Sequence, residues 1–291
     1  MKSKKKLVDW VLIGIGAVSL VVYLVTGVLL FRYYTDYQEQ KTQNEQLAAL
    51  RQEQMAGITG SASSVEQSVD AAGADFPEGQ QAEEDALDTS LTGDAIVPED
   101  AVGDPLLEER VYAYFKEMNP DYVGWITIPD TVIDYPVVQR DNSYYLRRDF
   151  SGESNRHGSI FMDEVCAVGD AIVMIHGHHM KDGTMFGCLS EYKRAAYRED
   201  HPLILMDFGV GEESYRIFAC GLVDLTDPNS FYYEILPQNE EEKAAYLEEF
   251  AASSLWYDTS KVDTGEPMVL LSTCDYGTED QRFILLAARE E

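Results

Sequence analysis

Met268-Val269-Leu270-Leu271-Ser272-Thr273-Cys274 is an apolar run that ends on a cysteine, and Arg282-Phe283-Ile284-Leu285-Leu286-Ala287-Ala288 resumes after seven residues. Between them, Asp275 to Gln281 contains Tyr276-Gly277, a turn signal. Two strand-like runs joined by so short a loop form an antiparallel hairpin most simply. Cys274, closing the first strand, and Arg282, opening the second, then lie near the same end of a sheet. A guanidinium near a thiol stabilises the thiolate, which is the reactive species. Arginine also offers two hydrogen bonds to a carbonyl or its developing oxyanion. From the hairpin alone, a buried structural cysteine beside an exposed arginine is the favoured reading. Arg289 is the poorer partner, because seven residues along a strand puts it on the opposite face from Arg282.

Working outward, six further runs have the same character: Tyr122–Ile128, Val132–Val138, Gly158–Met162, Ala171–His176, Leu203–Met206 and Tyr215–Leu222. Pro129-Asp130 and Asp227-Pro228-Asn229 punctuate them as turns. With residues 268–273 and 283–288 that makes eight strands, with no internal repeat, which suggests a closed β-barrel or a sandwich. Three helices accompany them. Pro105–Met118 carries Leu106, Leu107, Val111 and Phe115 on one face. A second is expected around Met185–Tyr197. The third, Glu240–Leu255, starts acid-rich, as its dipole prefers.

The N-terminal third reads differently. Lys2, Lys4, Lys5 and Lys6 precede an apolar run from Val8 to Phe31, long enough for a helix to cross a bilayer. Arg32-Tyr33-Tyr34 follows as an interfacial belt in place of a cleavage site. Lysines ahead of the span predict a cytoplasmic N-terminus with everything after it outside. Thr35 to about Leu50 is Gln- and Glu-rich and suits a solvated helix. Residues 56–104 hold twelve acids and no Lys or Arg, the composition of a self-repelling disordered tether. The expected organisation is a basic tail (1–7), a transmembrane helix (8–31), a largely disordered acidic linker (32–104) and a folded domain (105–291).

The chain has 291 residues and a formal charge of −30, with 52 acids against 22 Lys and Arg. Such a field repels a phosphate backbone, so nucleic acid is excluded as a partner. Four cysteines are too few for a disulfide-built scaffold. A mean hydropathy of −0.25 excludes many membrane spans and leaves room for one.

A second chemical cluster is His176-Gly177-His178-His179, at the end of the run 171–175. A histidine at a strand–loop junction can serve as general acid or base near neutral pH. Metal binding with Cys188 is the rival, but the spacing matches no closed zinc signature, and neither HExxH nor CxxC occurs. Cys166, Cys188 and Cys220 read as small buried hydrophobes; one disulfide among them is an open alternative.

Taken together, these segments resemble the sortases, and class B in particular. Leu271-Ser272-Thr273-Cys274 followed eight residues later by Arg282 is similar to the signature carrying their nucleophile. Ile175-His176-Gly177-His178-His179-Met180 with Asp182-Gly183-Thr184-Met185-Phe186 resembles the His-bearing segment of class B. Val123-Gly124-Trp125-Ile126, Ile133–Gln139, Asp141–Leu146 and Gly158–Asp163 extend the resemblance, which covers about Leu107 to Arg289. The resemblance implies a mainly β fold, an eight-stranded sortase-type barrel with an N-terminal helix and peripheral helices. The helix at 240–255 stands where class B carries an extra one.

The resemblance further implies Cys274 as nucleophile, His178 as acid/base and Arg282 as oxyanion or substrate-orienting residue. His176 stands where the family often has Tyr. Asn142, Leu146, Ser272 and Thr273 match positions lining the sorting-signal groove. A sortase is a membrane-anchored transpeptidase of Gram-positive bacteria. It cleaves a signal resembling Asn-Pro-x-Thr after Thr and passes the thioester to an amine of a cell-wall precursor (lipid II) or a pilin. No metal or organic cofactor is implied. The rival functions are a secreted cysteine hydrolase and a non-catalytic, membrane-tethered binding module.

Overall fold

Closing a sheet on itself buries one face of its β-branched and aromatic runs and removes the edges, and covering elements bury the other face. In the computed structural model, which describes residues 2–69, 105–227, 232, 236–237, 239–274 and 280–290, the sheet closes. The strands are β1 (Tyr122–Thr127), β2 (Asp134–Val138), β3 (Ile160–Met162), β4 (Ile172–His176), β5 (Leu203–Asp207), β6 (Glu212–Asp224), β7 (Ser254–Tyr257), β8 (Met268–Cys274) and β9 (Gln281–Arg289). Their order is β5-β1-β2-β3-β4-β8-β9-β6, and β6 pairs back onto β5. This is an eight-stranded closed barrel, built on the eight strands read from the sequence. β7 adds to β6 outside the closure. The β2–β3 and β4–β8 pairs are parallel and the others antiparallel. Val269, Leu270 and Leu271 of β8 and Phe283 to Ala288 of β9 are all buried, which explains why neither run alternates in polarity.

Two elements differ from the sequence reading. The expected helix at 185–197 is a 3₁₀ turn (Gly187–Lys193), an extended Arg194, and a short α3 (Ala195–Asp200). The helix expected to run to Leu255 is α4 (Glu240–Ser253), after which Trp256 and Tyr257 pair with Cys220 and Ala219 of β6. The hydroxyls of Ser253 and Ser254 donate to the carbonyls of Glu249, Phe250 and Ala251 at this junction. They end the helix where aromatic residues favour a strand.

α1 (Lys2–Val69) and α2 (Pro105–Met118) complete the N-terminal part. Large apolar side chains of α1 from Ile15 to Phe31 are exposed. The helix is long and apolar enough to cross a membrane. The Thr35–Leu50 stretch, expected as a solvated helix, is helical but lies against the barrel. Leu47 packs with Val111, Phe115, Tyr122, Trp125 and Phe150 in a second, smaller core. Polar clamps flank it. Asp36 pairs with Arg156 at 2.9 Å, Gln43 donates to Ser151 at 3.0 Å, and Arg51 reaches Asp207 and Glu212, each at 3.4 Å. Residues 70–104 of the expected acidic linker lie outside the described residues.

Candidate active site

β4 and β8 run parallel, so their C-terminal ends finish together, with His176 opposite Ser272. β9 starts at the same end, where Cys274 pairs across the ladder with Arg282. A cleft of about 380 Å³ opens here. Its walls include Asn142, Leu146, His178, Ser272, Thr273 and Arg282. These are the catalytic and groove residues that the resemblance implies, apart from Cys274, whose backbone directly follows Thr273. The arrangement follows from topology: the end of β4, about a hundred residues earlier in sequence, meets the β8–β9 hairpin ends at one rim of the barrel. Arg289 lies at the other end of β9, opposite Tyr215, where its guanidinium holds Glu213 and Glu266.

The two histidines flanking Gly177 have different partners. His178 Nε2 is 2.7 Å from the carbonyl oxygen of Leu146. A carbonyl only accepts, so Nε2 carries the hydrogen and Nδ1 is left to exchange a proton. Leu146 belongs to a 3₁₀ turn (Tyr144–Arg147) anchored by buried Tyr145, whose hydroxyl donates to Asp121. Thus the His178 ring is tied to the Leu146 turn at the cleft wall. His176 Nε2 instead meets Asp163 Oδ2 at 2.8 Å, and its ring packs on Phe161 at 5.1 Å between centroids. Gly177 is required by close approach: a Cβ there would sit 2.6 Å from Ile160 Cδ1 and 2.7 Å from the Phe186 ring.

Asp163 and Tyr232 also line the cleft, and neither is assigned a role by sequence reasoning. Burial pushes the Asp163 carboxyl up, but hydrogen bonds from His176, the Val165 amide and Asn142, with the His176 charge, outweigh it and hold it below the ordinary carboxylate range. Asn142 donates through Nδ2 to Asp163 at 3.0 Å and accepts the Glu164 amide at 2.9 Å. That fixes which end of its side chain is amide and which is carbonyl. Tyr232, from the segment between β6 and α4, shares a 2.8 Å hydrogen bond with Ser272 Oγ. The only sequence signal for Asp163 is its place at the end of the Gly158–Asp163 match.

Cys166, Cys188 and Cys220 are free thiols with no disulfide among them. Burial pushes each up to about 11. Among the described residues, no group of three or more His, Cys, Asp or Glu is arranged to hold a metal ion.

Comparison with known proteins agrees with this geometry. The sortase domain family matches residues 126–290. The chain is 36% identical to sortase B of Listeria monocytogenes over 163 residues, which is 55% of this chain and 65% of that protein, just under two thirds of its length. It is 30% identical to sortase B of Staphylococcus aureus over 189 residues, 62% of this chain and 76% of that one. The solved Staphylococcus aureus sortase B–substrate complex superposes with a TM-score of 0.56 at 29% identity, covering 63% of this chain and 86% of that chain. The chain belongs to the sortase family of cysteine transpeptidases and, within it, to class B.

Proposed function

We propose that this class B sortase cleaves a C-terminal sorting signal resembling Asn-Pro-x-Thr after the Thr and transfers the product to a primary amine. The observation that carries the reading is the single cleft uniting Asn142, Leu146, His178, Ser272, Thr273 and Arg282 beside the Cys274 backbone. In this reading the Cys274 thiolate attacks the Thr carbonyl. Arg282 donates to the oxyanion, and the C–N bond breaks as His178 protonates the leaving amine. The resulting thioester is attacked by the incoming amine, whose proton passes to His178, and the C–S bond breaks to restore the thiolate. Asn142, Leu146, Ser272 and Thr273 hold the signal. The acceptor is an amine of a cell-wall precursor such as lipid II, or a pilin lysine. That the relative from Staphylococcus aureus was solved as a substrate complex supports a substrate-binding role for this fold.

The apolar stretch 8–31 is the proposed membrane anchor, with residues 1–7 cytoplasmic and the catalytic domain (105–291) outside, joined through 32–104. The exposed apolar side chains of α1 support the anchor, and the lysines ahead of the span support its orientation.

Mass spectrometry of an Asn-Pro-x-Thr-x peptide incubated with the full chain, with and without an added amine, tests the activity. Amide product at the Thr carbonyl is expected. Free acid alone, with lipid II stem peptides and pilin lysines all offered, would make the chain a hydrolase.

A further inference from the structure

α1 lies along the folded domain from Tyr33 to Arg51, and the two ends of that contact, far apart along one continuous helix, have a consequence for orientation. Phe31 ends the apolar stretch. Two residues on, Tyr33 donates to Asp182 at 3.4 Å; five on, Asp36 pairs with Arg156; six on, the Tyr37 ring faces His157 at 6.4 Å. At 1.5 Å per residue these contacts lie about 3 to 9 Å beyond the span. The headgroup layer is roughly 5–8 Å deep on each side of the hydrocarbon. Arg51, which holds Asp207 and Glu212 and stacks over Trp125 at 5.3 Å, lies about 30 Å beyond Phe31. The barrel is therefore clamped lengthwise along the helix. The loops carrying Arg156 and Asp182 are at the near clamp, and the β5–β6 turn is at the far one.

The near loops are also the walls of the cleft. Asp182 and His178 belong to one compact loop, closed by the Phe186 amide donating to the His178 carbonyl and the Gly183 amide to that of Met180. The segment with Arg156 is joined to the Leu146 turn by the Asn155 amide donating to the Arg147 carbonyl. In a chain of net charge −30, Arg32, Arg147, Arg156 and Lys181 are exposed at this end.

The geometry points to a lipid headgroup layer as the partner of this surface: α1 holds the His178–Leu146 wall of the cleft against the bilayer and the β5–β6 turn away from it. The inference rests on α1 being the membrane anchor. A lipid-proximal cleft would meet substrates and acceptors that are themselves tethered in the membrane.

The full chain, carrying Cys274→Ala, is labelled with a fluorophore through Lys181→Cys or Val210→Cys and reconstituted in vesicles containing phosphatidylglycerol and nitroxide-headgroup lipid. Both positions are exposed, and Val210 sits in the β5–β6 turn. Quenching at 181 and its absence at 210 is the expected result. Equal quenching, or stronger quenching at 210, in chains that float with the vesicles overturns the orientation and leaves the anchor standing. Failure to float removes the anchor and the inference together. Asp36→Ala and Arg51→Ala combined with Leu47→Asp remove both end clamps and the apolar contact between them, and the difference between the two labels is then lost. A difference that persists in that variant overturns docking as its cause.

Discussion

The Nε2 atom of His178 lies 2.7 Å from the carbonyl oxygen of Leu146, while His176, two residues earlier, spends its Nε2 on Asp163 at 2.8 Å. One histidine is held by the Leu146 turn with a ring nitrogen left for proton transfer, and the other is tied to Asp163. His178→Ala is expected to lower kcat/KM for a sorting peptide by about 10²–10⁴-fold, the range of general acid–base catalysis. His176→Tyr, which installs the residue common in the family, is expected to stay within a few-fold of the parent. Steady-state kinetics on both variants checks the assignment, and the opposite ranking would exchange the two roles.

Asp163 gives the fold an acid-sensitive contact. Its carboxyl is held below the ordinary value, so it stabilises the folded state above the unfolded carboxylate pKa near 4. That contribution is lost as pH falls through the lower folded value. Asp163→Asn is expected to be less stable than the parent at neutral pH, with the gap narrowing below about pH 4. Urea titrations across that range measure it. Asp182, lowered by its bonds with Thr184 and the charge of His157 against the opposing effect of burial, has the same sign and is unaffected by the change.

The thiols separate by environment. Cys166, Cys188 and Cys220, pushed up to about 11, remain protonated at neutral pH. Brief treatment of the folded chain with iodoacetamide at pH 7.5 is expected to modify Cys274 and leave the other three intact, as read by peptide mapping. Equal labelling of Cys188 would contradict a nucleophile activated by its surroundings.

Arg282 pairs with Cys274 across the β8–β9 ladder and lines the cleft. A lysine keeps the charge but loses the two-pronged donor. Arg282→Lys is expected to lower kcat by about 10²–10³-fold, the usual cost of losing an oxyanion donor, with a smaller change in KM. Single-turnover acylation rates separate this from a binding defect.

Much of this architecture is legible from local pattern. All eight barrel strands follow from apolar runs and turn residues, because the barrel interior and the elements packed on its outside bury most of their side chains and leave a strong signal. β7 is hidden because the helical pattern of α4 runs into Ser253 and Leu255 without a Gly or Pro to mark the end. The docking of α1 is hidden for another reason. Its Gln- and Glu-rich surface contacts the barrel through Asp36, Gln43 and Arg51, polar residues that look solvated until their partners are known. The cleft residues near Cys274 were legible through motif order, whereas Asp163 and Tyr232 enter the cleft only through tertiary packing. The −30 charge is informative about nucleic acid and silent about catalysis.

The central claim is that Cys274 forms a thioester with the Thr carbonyl of a sorting signal. Intact-mass measurement of the full chain, quenched in acid during turnover of an Asn-Pro-x-Thr-x peptide without added amine, tests it most directly. A mass increase equal to the acyl fragment, mapped to Cys274, reversed by hydroxylamine and missing from Cys274→Ala, is the predicted result. Cleavage of the peptide by Cys274→Ala at the parent rate, or an adduct mapped to another residue, would contradict it.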